Sequence, residues 1–449
     1  MKMGFQAEIL RQWAGSLRPF PSSPEALRRL QSARIRRLAH FAAEQSPYYR
    51  DLWGRMGIHA RDLRSPEDLA RLPVLEKETA WARRADLLAH PSGITACAIR
   101  HTSGTTGMHV SLPVVPGENG IDANLWARCY MQGGHYPWRL QARVMLRSRN
   151  PGDQRLLQRI GWFRRAYLDA MDPPAAKVEW LRRVQPYSLV CFSGTLNEIV
   201  TELERTGERL HIPRVFSTGS MLWPHVRQRA EQRMAGRVMD AYGAVETGPI
   251  AWECERQEGL HVRSDAVVVE LLDDEDCPAR QGRVVCTVLW RRTLPLIRYA
   301  LGDTAEWEES PCSCGRPEPR LMRITGRVES LMTLPGGERI NHVALRSPVI
   351  DKPGVDQYQM VQDAPGRFRF RVVPGPAFTA DVERKIREEF QARFQDRLQL
   401  DIVRVPSIRT PPGHKTLSMV TLDYKSRLQS QGVDISCFSD DSVPSGTRR

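Results

Sequence analysis

Hydroxyl and glycine residues are concentrated in one short segment whose composition suits the binding of phosphate groups. The segment follows His101 and consists of Thr102, Ser103, Gly104, Thr105, Thr106 and Gly107. Glycines let backbone N–H groups approach an anion closely, and the hydroxyl groups add further donors. The segment is not a Walker loop, because Met108 and not a lysine follows Gly107. A run of this composition is also typical of an ordinary turn, so other segments must decide its interpretation.

A second group of residues has the chemistry of a metal site. Its members are Cys254, His261, Cys312 and Cys314. Three thiols and one imidazole are a suitable tetrahedral ligand set for Zn²⁺, and glycines at 259 and 315 place both halves near turns. The Cys-x-Cys spacing is tighter than the common Cys-x₂-Cys spacing, so buried thiols remain the alternative to a structural zinc site.

The order of five segments resembles that of the adenylate-forming ligases, the superfamily of acyl-CoA synthetases, luciferase and peptide-synthetase adenylation domains. The hydroxyl-rich segment resembles their phosphate-binding signature. The other four matching segments are Asp240–Gly248, Tyr299–Asp303, Gly326–Arg327 and Gly413–Lys415. Their order and wide spacing are more specific than any one of them.

The flanking segments resemble one branch of that superfamily, the phenylacetate-CoA ligases and the related capsular-polysaccharide-type proteins. These segments are Ser46–Arg50, Asp68–Pro73, Gly259–His261 and Cys312–Arg316. The resemblance extends over roughly residues 20 to 425.

The resemblance implies a role for each matching residue. Tyr242, with Gly243 beside it, would stack on adenine, and Gly219 lies in a segment similar to the loop beside adenine. Asp303 would accept hydrogen bonds from the ribose hydroxyls, and Glu246 would hold Mg²⁺ on the phosphate oxygens. These residue types suit the tasks, because an aromatic face binds a base and carboxylates accept hydroxyl donors or bind Mg²⁺. A core tyrosine, a surface glutamate and a turn aspartate are the alternatives.

Two segments depart from the pattern of the superfamily. Arg327 would contact ribose or phosphate at the hinge, but Val328–Ser330 stands where an aspartate usually follows. Near the end of the chain, His414 occupies the position expected for the lysine that completes adenylation. Lys415 is therefore the candidate catalytic lysine, with a solvated surface lysine as the alternative.

The pattern of apolar residues predicts an α/β fold. Runs at 189–192 and 284–289 predict buried strands, and helical patterns lie between several such runs. Ser22 and Glu25 have the spacing of a capping box and predict the start of an N-terminal helix. With 449 residues, of which 41% are hydrophobic, the chain is long enough for two or more packed units.

The predicted domains are a large N-terminal adenylate-forming domain and a small mobile α+β C-terminal domain. Residues 1–326 would bind ATP and the acid, and residues 327–425 would form the lid. Within the lid, 368–373 predicts a strand and 380–394 predicts an amphipathic helix. Residues 426–449 are rich in small and polar residues and are predicted to be disordered.

Charge and cysteine usage limit the classes of partner and compartment. The formal net charge of +13 suits polyanionic substrates such as ATP and CoA. Nucleic acid is the weaker interpretation, because the basic residues are scattered and are not interleaved with aromatic residues. Five of them are predicted on solvated helix faces: Arg28, Arg29, Arg34, Arg36 and Arg37. No apolar run approaches the length of a membrane span, and buried thiols such as Cys191 and Cys286 favour the cytoplasm.

The predicted function is that of an ATP-dependent, AMP-forming ligase that activates a carboxylic acid as an acyl adenylate. Aromatic residues suggest an aromatic acid, although they are also typical of a core: Trp126, Tyr130, Tyr136, Trp138 and Phe192. The acceptor is left open between CoA, an amine and a carrier-protein thiol. The oligomeric state is also left open. The alternatives are an ADP-forming phosphotransferase and a non-catalytic nucleotide-binding protein of the same fold.

Overall fold

The structure is a computed structural model that describes most of the chain. The residues outside the description are 1, 18–19, 91, 94–95, 102–110, 146–157, 159, 171, 220, 274, 328–330, 334–338, 342–351, 353, 376, 409–418, 431 and 440–449. The chain divides into two compact units. The first consists of Met1–Arg100 and Leu112–Ile324, and the second of His101–Ser111 and Thr325–Arg449.

The first unit alternates helices with strands over much of its length. Its helices are α1 (Lys2–Ser16), α2 (Pro24–Gln45), α3 (Pro47–Met56), α4 (Lys77–Ala82), α5 (Arg84–Leu87), α6 (Pro116–Gln132), α7 (Pro174–Val184), α8 (Ser193–Thr206) and α9 (Pro224–Met234). Short 3₁₀ helices lie at Ala60–Asp62 and Glu67–Arg71.

The strands are numbered through both units. They are β1 (Ala98–His101), β2 (Ser111–Val114), β3 (Gln141–Met145), β4 (Arg165–Asp169), β5 (Ser188–Phe192), β6 (Arg214–Thr218), β7 (Arg237–Ala244), β8 (Gly248–Glu253), β9 (Leu260–Val262), β10 (Val267–Leu272), β11 (Gln281–Val288), β12 (Tyr299–Glu308), β13 (Arg320–Arg327), β14 (Leu331–Thr333), β15 (Arg339–Asn341), β16 (Val355–Ala364), β17 (Arg367–Pro374), β18 (Gln399–Arg404) and β19 (Met419–Val420).

An 11-stranded sheet organises the first unit, in the order β10-β11-β12-β13-β9-β8-β7-β6-β5-β3-β4. Strands β4, β3, β5, β6 and β7 pair in parallel, and helices connect β5 to β6 and β6 to β7. From β7 onward the chain turns back, because β8 and β9 pair antiparallel. The α/β fold predicted from the alternating pattern is confirmed, and the predicted strands correspond to β5 and β11.

The parallel strands bury their side chains against helices α7, α8 and α9. The core on this face includes Leu189 and Cys191 of β5 and Ile199 of α8, all fully buried. Removing a side chain of this size from water contributes roughly 1.5–3 kcal/mol. Burial also raises the pKa of the Cys191 thiol to about 12, so this cysteine is an inert core residue, as the sequence predicts.

Two details of the N-terminal helices differ from the sequence predictions. The cap of α2 is Ser23 and not Ser22, because the Ser23 hydroxyl accepts a hydrogen bond from the Ala26 N–H at 3.2 Å. Arg34 is buried and donates to the backbone carbonyl of Asp265, so its predicted place on a solvated helix face is wrong. Its partner is more than 200 residues away in the sequence, where helical periodicity carries no information about it.

The second unit contains a four-stranded sheet in the order β18-β17-β16-β19. Helix α10 (Ala380–Phe394) packs on it, and Ile386 and Phe390 of this helix share a core with Phe368 and Phe370 of β17. Strands β14 and β15 form a separate two-stranded sheet in this unit. Strands β1 and β2, most of whose residues belong to the first unit, form another two-stranded sheet. The predicted strand at 368–373 and the predicted helix at 380–394 are both present.

The structure describes regular elements within residues 426–430 and 432–439, a part of the chain that was predicted to be disordered. Helix α11 (Leu422–Ser430) is followed by a short 3₁₀ helix at Ser436–Phe438. Leu428 and Phe438 are buried in a cluster with Val361 and Val420. Composition misled the prediction, because a few apolar residues are enough when an existing sheet supplies the rest of the core. Among the described residues, no helix combines the length and apolar character needed to cross a membrane.

Candidate functional site

The turn between β7 and β8 carries one predicted ligand for Mg²⁺. The two strands pair as far as Ala244 and Gly248, which leaves Val245, Glu246 and Thr247 as the connecting turn. Glu246 is 6% exposed. Gly248 has a φ of +72°, a backbone conformation that favours glycine. The hairpin therefore presents one carboxylate from a turn with little freedom.

Tyr242 and Asp303 lie side by side, although 60 residues separate them in the chain. The Tyr242 hydroxyl donates a hydrogen bond to Oδ2 of Asp303 at 2.8 Å. Asp303 lies in an irregular part of the pairing between β11 and β12, just after Gly302 with its φ of +78°. Both side chains are only partly buried, so a ligand can reach the aromatic face and the carboxylate.

Two glycines at the ends of β6 and β7 allow close packing near Tyr242 and Asp303. Gly219 follows β6 with a φ of +77°, and a Cβ added there would lie 2.8 Å from the Phe192 ring. Gly243 follows Tyr242, and a Cβ there would lie 2.6 Å from the Gly248 carbonyl oxygen and 2.8 Å from the Trp126 ring. Because β6 and β7 pair in parallel up to Thr218 and Ala241, both glycines lie at the carboxyl ends of neighbouring strands. Ligands of open α/β sheets bind at this edge.

Several predicted site residues fall outside the described part of the chain. These are Thr102, Ser103, Gly104, Thr105, Thr106, Gly107, His414 and Lys415, together with the hinge residues 328–330. Arg327 is described only as the last backbone position of β13. The described part of the site is therefore the group of Gly219, Tyr242, Gly243, Glu246 and Asp303.

The predicted metal-binding residues come together in the first unit. The four ligand atoms, which belong to Cys254, His261, Cys312 and Cys314, all lie within 4.8 Å of one another. The Sγ atoms of Cys254 and Cys312 are 3.7 Å apart, and Sγ of Cys314 lies 3.4 Å from Nε2 of His261. Bond lengths of about 2.3 Å to sulfur and 2.0–2.1 Å to nitrogen place tetrahedral ligands at similar separations. The four residues fit Zn²⁺ in number, type and geometry.

Glu318 stands behind this cluster and was not singled out from the sequence. Its Oε2 lies 3.8 Å from Nδ1 of His261, on the ring side opposite Cys314, and both side chains are fully buried. A carboxylate in this position orients a metal-binding histidine. The only sequence signal was its place four residues after Cys314.

Burial sets the protonation of the metal-free cluster. It lowers the pKa of His261 to about 4, with Arg316 and Arg320 adding to the effect, so the imidazole is neutral and available as a ligand. Burial also raises the pKa of the Cys254 thiol to about 12. A divalent cation reverses this second effect, because thiols deprotonate when they coordinate.

The aromatic residues predicted to line an acid pocket divide into two groups. Trp126 and Tyr130 of α6 stack with ring centroids 5.9 Å apart, and Tyr130 also contacts Phe216 of β6 at 4.9 Å. Tyr136 and Trp138 instead stack on each other and are 46% and 55% exposed. Phe192 lies beside Gly219. Of the five predicted residues, Trp126 lies beside Gly243 and Phe192 beside Gly219, whereas Tyr130 is buried in a core cluster with Phe216.

Comparisons with known sequences agree with this architecture, although no protein-family model matches the chain. A phenylacetate-coenzyme A ligase of Thermus thermophilus is 25% identical over 362 residues, covering 75% of this chain and 78% of that protein. A phenylacetate-coenzyme A ligase of Pseudomonas putida is 27% identical over 338 residues, covering 70% and 74%. Protein CapK of Staphylococcus aureus is 22% identical over 246 residues, or 53% of each chain.

Solved structures show the same fold. A 2-hydroxyisobutyryl-CoA ligase in the postadenylation state with 2-HIB-AMP superposes with a TM-score of 0.73 at 22% identity, covering 93% of this chain and 92% of that one. An anthranilate CoA ligase in complex with anthranoyl-AMP gives a TM-score of 0.55 at 14% identity, covering 75% and 67%.

The sequence relatives and the shared fold support the adenylate-forming ligase superfamily that the motif order predicts. The curated relatives of the chain are the phenylacetate-CoA ligases and a CapK protein, and its enzyme class is that of the AMP-forming acid ligases.

Proposed function

We propose that the protein activates a carboxylic acid with ATP and passes the acyl group to CoA. The observation that carries this proposal is the hydrogen bond from Tyr242 of β7 to Asp303 of β12, with Glu246 in the turn that follows β7. Tyr242 and Glu246 belong to one, and Asp303 to another, of the segments whose order resembles the superfamily. A nucleotide needs an aromatic face, a ribose acceptor and a phosphate-bound cation, and the three residue types supply them.

The reaction joins two anions, so the protein must hold them together and stabilise the leaving group. A carboxylate oxygen of the acid attacks the α-phosphorus of ATP, and the bond to pyrophosphate breaks. In the second half-reaction the CoA sulfur attacks the acyl carbon and AMP leaves. When bound, Mg²⁺ would neutralise charge on the phosphate oxygens, with Glu246 as a protein ligand. Asp303 would fix the ribose.

The roles of the remaining predicted residues belong to the same proposal. Residues 102–107 would wrap the phosphates, Arg327 would contact ribose or phosphate, and Lys415 would complete adenylation. Residues 1–326 would bind ATP and the acid, while residues 327–425 would form a lid that moves between the half-reactions. Such a motion has a physical motive, because the site must exclude water during adenylation and then admit a second nucleophile.

The acid proposed for this site has an apolar body. The Trp126 ring lies beside Gly243 and stacks on Tyr130, which is buried in a core cluster with Phe216. The names of the relatives point to small aromatic or branched acids, and CoA is the acceptor in those names. An amine or a carrier-protein thiol stays the alternative acceptor, and a cytoplasmic location stays a prediction.

The decisive experiment is acid-dependent exchange of labelled pyrophosphate into ATP, with a panel that includes phenylacetate, anthranilate and 2-hydroxyisobutyrate. Exchange with one acid supports adenylation and names the substrate class. Release of ADP in place of AMP would contradict the proposal and favour a phosphotransferase. ATP binding without exchange or ADP release across a broad panel would favour a non-catalytic nucleotide-binding protein.

Variants test the proposed roles of single residues in the same assay. Asp303→Ala is expected to weaken ATP binding at least tenfold, because the ribose loses a charged acceptor worth about 1.5–3 kcal/mol. Glu309→Ala, at an exposed position just beyond β12, is the matched control and should bind ATP normally. Lys415→Ala should retain ATP binding and lose exchange; unchanged exchange with the cognate acid would reject its role.

We also propose that Cys254, His261, Cys312 and Cys314 hold a structural Zn²⁺. The mutual distances of their ligand atoms support this, and all four positions are buried or nearly so. Protein purified without chelator should contain one Zn²⁺ per chain by elemental analysis. Cys312→Ser should lose it, whereas Cys277→Ser, at an exposed thiol outside the cluster, should keep it. Absence of stoichiometric zinc from the unmodified protein would refute the site.

A further inference from the structure

Two consecutive residues, Trp290 and Arg291, donate hydrogen bonds to the backbone of the turn that carries Glu246. The indole Nε1 of Trp290 donates to the carbonyl oxygen of Thr247 at 3.1 Å. The Arg291 guanidinium donates through Nη2 to the carbonyl oxygen of Val245 at 3.3 Å. The two acceptors are the residues immediately before and after Glu246. The backbone on both sides of Glu246 is therefore hydrogen-bonded to one segment, which contains Trp290 and Arg291.

That segment is buried and is itself anchored. Trp290 is 1% exposed, and Arg291 is fully buried. Oε1 of Glu118, in the first turn of α6, accepts hydrogen bonds from the backbone N–H groups of Arg292 at 2.6 Å and Thr293 at 2.8 Å. Its Oε2 lies 3.7 Å from Nη1 of Arg291. The carboxylate thus fixes the backbone of the segment and also partners the buried guanidinium.

Helix α6 also links this arrangement to the strand that leads into the hydroxyl-rich segment. Asp122, one turn after Glu118, accepts from Nη1 of Arg100 in β1 at 2.8 Å. A Cβ added to Gly248 would lie 2.8 Å from Oδ1 of Asp122 and 3.2 Å from the Trp290 ring. The hairpin that follows Glu246 is therefore packed directly against α6 and Trp290.

The neighbouring Arg292 is equally buried, but its guanidinium contacts other parts of the protein than the Glu246 turn. It pairs with Glu8 of α1 at 2.9 Å and donates to the carbonyl oxygens of Leu289 and Arg291. No described hydrogen bond joins it to the turn at 245–247. Of these two adjacent buried arginines, Arg291 contacts the Glu246 turn and Arg292 contacts helix α1. Substitution of Arg292 can therefore serve as a control for substitution of Arg291.

We propose that Trp290 and Arg291 are positioning residues that hold the Glu246 carboxylate where the phosphate-bound cation needs it. This inference rests on the proposed function, in which Glu246 is a protein ligand of Mg²⁺. Mg²⁺ demands nearly ideal octahedral geometry, so a carboxylate on a loose turn would bind it poorly. Bonding both flanking carbonyl groups removes the backbone freedom that would otherwise be lost on binding.

The test measures the dependence of ATP binding on Mg²⁺ by isothermal titration calorimetry, which needs no knowledge of the acid. Trp290→Phe removes the indole donor and keeps most of the ring, and Arg291→Lys keeps the charge but shortens the reach. Each should raise the Mg²⁺ concentration for half-maximal enhancement of ATP binding by about tenfold or more, as expected when an outer-shell partner of a metal ligand is removed. ATP affinity in the presence of EDTA should stay unchanged.

Arg292→Lys is the matched control, and it should lower the melting temperature without changing the Mg²⁺ dependence. An unchanged Mg²⁺ dependence in folded Trp290→Phe and Arg291→Lys would overturn the inference while leaving the proposed function intact. An equal shift in Arg292→Lys would also overturn it, because general loosening of the segment would then be the cause. If Glu246→Gln has normal Mg²⁺ dependence, the proposed role of Glu246 fails and the inference fails with it.

Discussion

Tyr242 combines two properties that single substitutions can separate. Its ring would stack on adenine under the proposed function, and its hydroxyl donates to Asp303 at 2.8 Å. Tyr242→Phe keeps the face and removes the donor, while Tyr242→Ala removes both. We expect Tyr242→Phe to change AMP affinity by less than about tenfold and Tyr242→Ala to weaken it by tenfold or more, since stacking on a base is worth about 1–3 kcal/mol. If calorimetry gave the same AMP affinity for Tyr242→Ala as for Tyr242→Phe, the stacking role would be contradicted.

His135 offers a pH-dependent contribution to stability. Burial, with Arg143 and Arg165 nearby, lowers the pKa of this imidazole from 6.5 to about 4, and its Nδ1 lies 3.0 Å from the Ser188 hydroxyl. Between pH 6.5 and 4 the unfolded chain binds a proton at His135 that the folded protein does not bind. Stability should therefore fall as pH drops through this window, by roughly 3 kcal/mol in total, and level off below it.

The measurement for His135 is urea unfolding at a series of pH values, compared with His135→Gln. The variant lacks the titrating group, so the difference in unfolding free energy between the two proteins should vary with pH between 6.5 and 4. A difference that is constant over this range would contradict the assignment. At pH above 7 the comparison reports only the loss of packing and of the contact with Ser188.

At the scale of elements, the cluster of Cys254, His261, Cys312 and Cys314 joins the end of β8 and strand β9 to the loop before β13. Oε2 of Glu318 lies 3.8 Å from Nδ1 of His261, outside the cluster. We expect Glu318→Gln to lower zinc affinity by about 10–100-fold, because a neutral amide is a poorer partner for the Nδ1–H group. The zinc affinities of the variant and of the unmodified protein can be measured by competition with a chelator of known affinity.

Glu309→Gln is the control for Glu318, because this exposed carboxylate lies in the same loop, shortly before Cys312. It should change zinc affinity much less than Glu318→Gln. Equal effects of the two variants would show that loop order, and not orientation of the imidazole, determines the affinity.

At the scale of the whole molecule, the C-terminal segment extends the second unit beyond the predicted end of the lid. Leu428 and Phe438 are both buried against Val361 of β16. A chain that ends at residue 425 should have a less stable second unit, and Phe438→Ala alone should cost about 3–5 kcal/mol. Limited proteolysis and urea unfolding test this, with a chain ending after Ser439 as the control that keeps the cluster. Equal protease resistance of the two shortened chains would contradict the prediction.

Much of the candidate site could be predicted from the sequence because its motifs are local. The segments Asp240–Gly248 and Tyr299–Asp303 carry their own residue types and glycines, and the order of the motifs along the chain resembles that of the superfamily. The α/β fold followed from apolar runs and helical periodicity, which depend on neighbouring residues. The four candidate zinc ligands could be named for the same reason, since their spacing and type are visible without the fold.

The remaining features depend on contacts between distant parts of the chain. Local periodicity placed Arg34 in solvent, but the fold buries it on the Asp265 carbonyl, and composition left Phe438 in a disordered tail. No motif marks Trp290 or Arg291. Their proposed positioning role depends on the fold, which brings the segment after β11 within hydrogen-bond distance of the Glu246 turn. The sequence by itself determined the residue types and local elements, whereas tertiary packing decided which polar groups were removed from water and which partners then satisfied them.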